Sequence, residues 1–353
     1  MKGKISKKVI IGTICFIFIG MILLHIATQI LIPKWIVPKD SRMTYVVKGF
    51  YEEPKDSLDV LFMGNSDVYR GISPIKMWDE YGFTSYVFST AGSRMWTAYY
   101  LLEESLKYQN PKLIVLNMDF TFNESDASEA NYRKAFDNMK LGTTKIKAIQ
   151  DPIFNISNEQ KLSYIFPIAR YHSRWDELTA EDFTEVLKKE RFAYKGLDMV
   201  SDIKPYTGGN KYMERRDFEN EKIGERCNQY LEKIINLCKE KNIQLLLMEI
   251  PSADSWTKDL SDKIKDFAQG HDLDFVDMNL NFMEFGFDWE TATCDGGDHL
   301  NVYGAESVST YLGNYIQEKY NIPNKKGDSK YSYWNEDSIR YNNDKNNLKK
   351  NIK

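Results

Sequence analysis

Cysteine is scarce in this chain, with four residues in 353. That excludes a small fold stapled by disulfides. Histidine is equally scarce: His25, His172, His271 and His299 are the whole set. There is no HExxH pair, no close His/Cys cluster, no Walker loop and no GxGxxG turn. No metal and no cofactor is therefore expected. A basic surplus is also lacking, since 47 Lys+Arg face 51 Asp+Glu for a net charge of −4. A nucleic-acid partner with a broad basic face is not expected. Long apolar runs are missing but for one, which excludes a multi-span membrane protein. What is present, 42% hydrophobic and 28% charged residues, suits a globular chain of one large or two small domains.

The single long apolar run lies near the N-terminus. Residues 1–8 carry Lys2, Lys4, Lys7 and Lys8, and no charge follows until Lys34. As a helix, residues 9–33 would reach roughly 37 Å, enough to cross a ~30 Å hydrocarbon core. The competing reading is a cleaved signal peptide, but its apolar core would be long and no clear A-x-A site follows. The expectation is a transmembrane anchor over 9–32 in the cell membrane, with the basic end inside and the rest extracellular. Residues 33–57, with three prolines, read as a connector.

A domain over 58–322 follows. Apolar runs at 58–63 (LDVLFM), 85–89 (SYVFS), 112–116 (KLIVL), 243–250 (IQLLLMEI) and 274–278 (DFVDM) read as strands. Helical spacing at 95–108, 221–241, 256–268 and 303–320 alternates with them. That rhythm means an α/β fold on a parallel sheet, with ligands at the carboxyl ends of the strands. Residues 120–220 break the rhythm and read as a helical insertion over the site. Cys227 and Cys238 fall on one helix face about 16 Å apart, too far for a disulfide. The polar tail 323–353 is either a solvated end or is pinned by Tyr331, Tyr333, Trp334 and Tyr341. No internal repeat is present.

Two loops carry the chemistry. Gly64-Asn65-Ser66-Asp67 follows the first strand directly, which exposes Ser66 at the sheet edge where a nucleophile can sit. A helix cap is the plain alternative. The base is sought among the histidines. His25 is in the anchor, His271 in a polar turn and His172 in the insertion. His299 stands in Cys294-Asp295-Gly296-Gly297-Asp298-His299-Leu300-Asn301, on the same side of the sheet as Ser66 and with carboxylates near enough to fix its tautomer. In the insertion, Arg170, His172, Arg174 and Trp175 form a cluster able to meet a polar glycan. Arg174 and Trp175 are the candidates for substrate binding.

GNS after the first strand, Ala91-Gly92 after the second, and a late Asp/His loop with HLNxxGA before the last helix resemble the SGNH (GDSL-like) hydrolases. The anchored external domain is similar to their DltD/AlgJ/AlgX-like acyltransferase branch. The likeness spans roughly 58–120 and 240–320, omitting the insertion and tail. It implies a three-layer α/β/α, flavodoxin-like sheet. It implies Ser66 as nucleophile, His299 as base, and oxyanion donors at Gly92 and Asn117. The triad acid departs from the family spacing: Gly296 and Gly297 stand where Asp is usual, leaving Asp295 preferred and Asp298 as the alternative. The implied activity is O-acyl transfer, acetyl foremost, to an extracellular polysaccharide, beside a membrane-bound O-acyltransferase partner. The alternatives are a carbohydrate esterase, D-alanyl transfer to teichoic acid, or a non-catalytic assembly subunit.

Overall fold

Five short apolar runs without room for polar faces have to be covered on both sides, and they are. In the computed structural model, which describes residues 6–34, 43–187 and 191–351, they form β1 (Val60–Met63), β2 (Ser85–Val87), β3 (Leu113–Asn117), β4 (Gln244–Glu249) and β5 (Asp274–Asp277). All pairings are parallel, in the order β2-β1-β3-β4-β5. This is the flavodoxin-like order expected from the sequence. Every residue of β1, β2 and β3 is buried. Lys2, Lys4 and part of the connector, 35–42, lie outside the described residues.

The layers follow from handedness. Right-handed crossovers that step across a sheet in one direction place their helices on one face. The step from β1 to β2 runs one way and the next three run the other. Helix Pro74–Tyr81 thus lies on one face. Helices Met95–Ser105, Glu225–Lys241 and Lys258–Gly270 lie on the other. Met95–Ser105 packs on Glu225–Lys241, and Val302–Tyr320 packs on Pro74–Tyr81. Cys227 and Cys238 are buried and form no disulfide, their thiols pushed up to about 12 by burial.

The polar C-terminal segment forms the helix Tyr333–Asn351. Trp334 is fully buried with its ring 5.4 Å from that of Trp78, and the Tyr341 hydroxyl bonds Ser73 and Glu306. Buried Lys195 pairs with Glu53 at 2.7 Å and with Asp337 of this helix at 2.6 Å.

The chain divides into two compact units. The second holds the sheet, the remainder of the insertion and the C-terminal helix. The first joins the apolar helix Lys7–Leu31 to residues 156–189. That helix is long and apolar enough to cross a membrane or to serve as a signal. Its side chains are exposed from Val9 to Ile26 and half-buried from Ala27. There the helix Ile168–Tyr171, the turn His172–Asp176 and the helix Ala180–Leu187 pack on it. Lys34 donates to the carbonyls of Gln29 and Ile32, and Arg174 to that of Leu31, closing carbonyls that a helix end leaves open.

Candidate active site

The chain leaves β1 towards β2, and β2 returns past it to β3. The carboxyl ends of β1 and β3 therefore frame the crevice where the strand order reverses. Gly64 opens the turn after β1. A side chain there would meet Val68 at 2.4 Å and Asn117 at 3.1 Å, so only glycine lets the two strand ends close up. Asn65 caps the following helix Ser66–Gly71, accepting from the Asp67 amide at 3.0 Å. Its carbonyl accepts from Ser89 at 3.0 Å, which ties the turn to the loop after β2. Ser66 thus becomes the first helical residue, half-buried at the sheet edge.

His299 arrives from the loop after β5. A short bridge between Thr293 and Leu300 closes this loop, and Ala253 binds the Gly297 carbonyl at 2.7 Å. Gly296 (φ 96°) and Gly297 (φ 119°) take backbone shapes that side chains oppose. This folds Asp295 back onto His299: its carboxylate accepts from the His299 amide at 2.8 Å and contacts Nδ1 at 2.6 Å. Asp298 lies 3.1 Å from the same nitrogen. With Nδ1 so held, Nε2 faces the start of the Ser66 helix, 3.8 Å from Asp67 Oδ1. Among the described residues the Ser66 hydroxyl makes no hydrogen bond. A nucleophile–base contact that tightens only with substrate is common.

Behind the pair lie three carboxyl groups that sequence reading did not single out. Carboxylate oxygens of Asp67, Asp119 and Glu249 lie within 4.8 Å of one another, so a negative charge on one opposes a negative charge on its neighbours. Asn65 and Asn117 donate to Asp119, and the Met118 amide and Asn117 to Glu249. Burial first, then neighbouring negative charge, pushes Asp67 and Glu249 well above the usual carboxylate range. Burial opposes a charged His299 ring, but its hydrogen bonds to Asp295 and Asp298 outweigh it, and the ring is raised to about 10. Two sets of ligand atoms, Asp67/Asp298/His299 and Asp67/Asp119/Glu249, lie within 4.8 Å of one another. Each set is close enough for a cation. The amide hydrogens of Asn65, Asn117 and Met118 already occupy part of the second set.

The structure thus brings His299, Asp295 and Asp298 together beside Asp67, the residue that follows Ser66. Gly92 stands in the turn after β2 at φ 64°, a conformation glycine permits, with Asn131 packed against its α-carbon. Asn117 is fully buried, and its amide group binds Asp119 and Glu249 while its oxygen accepts from Ile250. Arg174 and Trp175 belong to the first unit. There Arg174 pairs with Glu177 and Asp182 as well as the Leu31 carbonyl, and Trp175 is 73% exposed. A signal for the missed acids did exist. Glu249 is a charge inside an otherwise apolar run, and Asp119 follows β3 by two residues.

Strand order and site together define an α/β protein with a Ser/His/Asp arrangement at the switch point of a parallel sheet. No family model matches the sequence, and no curated protein matches it. Among solved structures it is similar to a candidate acylhydrolase from Bacteroides fragilis (13% identity, 82% of this chain and 99% of that one, TM-score 0.37). It is also similar to a GDSL-like lipase from Bacteroides thetaiotaomicron (12% identity, 74% and 89%, TM-score 0.34).

Proposed function

We propose that this chain is a membrane-anchored serine acyltransferase of SGNH type. It takes an acyl group, acetyl foremost, from a membrane-bound O-acyltransferase and passes it to an extracellular polysaccharide. The observation that carries the serine chemistry is the held imidazole: Nδ1 fixed 2.6 Å from Asp295 and Nε2 directed at the turn that begins with Ser66.

In the reaction, His299 Nε2 takes the Ser66 proton as Oγ bonds to the ester carbonyl carbon and the carbonyl electron pair moves to oxygen. Backbone amides at Ser66 and Gly92 receive that oxyanion; loss of one such donor typically costs about 10²–10³ in rate. The pair returns as the donor's C–O bond breaks, and the departing oxygen takes the proton from His299. A sugar hydroxyl then repeats the sequence in reverse on the acyl-enzyme. Water in its place gives hydrolysis, the esterase outcome.

The test is a serine-directed phosphonate applied to the membrane-embedded protein, followed by peptide mass mapping. Label on Ser66 that is lost in His299→Ala supports the reading. An unlabelled Ser66 in protein that retains its fold leaves a non-catalytic assembly role. With labelling established, product analysis separates transfer from hydrolysis: acyl groups on glycan in competition with water mean a transferase, and free acid alone means an esterase.

A further inference from the structure

The first unit carries a surface that the chemistry does not use. We propose that residues 156–187 form a collar seated on the outer membrane–water interface around the emerging end of the anchor, with Leu162, Phe166, Trp175 and Phe183 inserted among lipid headgroups and upper acyl chains. The inference rests on reading Lys7–Leu31 as a retained anchor with its far end outside.

Depth is the first argument. The helix is exposed from Val9 to Ile26. Eighteen residues at 1.5 Å each span ~27 Å, close to the ~30 Å hydrocarbon core. Packing against the collar begins at Ala27, where that span is used up. The charged groups that close the helix end, Lys34 and Arg174, then fall at the interface, where long cationic side chains are tolerated.

Composition is the second argument. Trp175 is 73% exposed, Leu162 57%, Phe166 51% and Phe183 50%. Among the described residues, eight large hydrophobics outside the anchor are at least 50% exposed, and four of them fall in this one segment. Leu162 and Phe166 are four apart across the helix Asn158–Ile165 and its end, so they share a face. Exposed aromatics at the end of an apolar span are what a membrane interface selects. Between residues 156 and 187 three basic residues face six acidic ones, so there is no basic surplus to draw the segment to anionic lipid. Seating therefore depends on apolar insertion, and neutral lipid suffices.

The test uses the full chain in phosphatidylcholine vesicles. The difference in fluorescence between wild type and Trp175→Phe isolates the emission of Trp175. The proposal expects that emission to be blue-shifted and quenched by brominated lipids, more by those brominated near the headgroup than by those brominated at mid-chain. Aqueous iodide should have little effect. Quenching by iodide and not by brominated lipid overturns it. So does blue-shifted emission quenched by neither, which means that protein covers the residue. Circular dichroism of Trp175→Phe confirms its fold, and the exposed pair Leu162→Ser/Phe166→Ser gives a second reading, expected to weaken lipid quenching of Trp175. None of these readouts needs Ser66 chemistry. The mass of the purified chain shows separately whether the anchor is retained.

Discussion

At the scale of single residues, the site sets two carboxylates on one imidazole nitrogen, and their roles separate by geometry. Asp295 holds both the backbone and the ring of His299, whereas Asp298 reaches the ring alone. Asp295→Asn should lower turnover of a small activated ester by roughly 10³–10⁴ at every pH, because the ring loses its orientation. Asp298→Asn should keep most of the rate at high pH. The proton balance gives a second expectation. A ring raised to about 10 is charged at neutral pH and accepts the Ser66 proton only after losing its own. Wild-type kcat/KM should therefore climb about tenfold per pH unit towards that value. In Asp298→Asn the midpoint should move down, since one stabilising carboxylate is gone. A flat profile from neutral pH upward would show that His299 is not the base.

At the scale of elements, strands and their carboxyl ends were legible because each short apolar run stops at a polar turn. Ser66 and His299 could be placed for that reason. Asp67, Asp119 and Glu249 could not, because an acid beside a strand end reads as a cap until the neighbouring strand shows what it faces. The helix Tyr333–Asn351 was hidden by its polar composition; its buried stripe is carried by Trp334 and Tyr341, seven residues and two turns apart. Trp334→Ala should cost about 3–5 kcal/mol by emptying that stripe, measured by denaturant unfolding. The carboxyl cluster has its own signature. Glu249 keeps its proton in the fold at pH values where an unfolded glutamate, with a pKa near about 4.3, has lost it. The folded state then binds more protons, so this group's contribution to stability falls as pH rises through that window. Glu249→Gln removes the slope. Thermal scans should show its melting temperature declining less from mildly acid to alkaline pH than that of wild type.

At the scale of the whole molecule, topology is the claim most simply checked. Protease added to intact protoplasts should digest the domain, and full protection would place Ser66 inside and remove the polysaccharide from consideration. The order of parts along the chain has a further result. The turn bearing Ser66 is made early in synthesis, while its base, the helix Val302–Tyr320 that packs on Pro74–Tyr81, and the helix bearing Trp334 are made last. Contacts over such separations form late in folding. If the proposed topology holds, a chain still being threaded across the membrane would carry Ser66 without its base, and the proposed acyl chemistry would begin only once the last helices had docked.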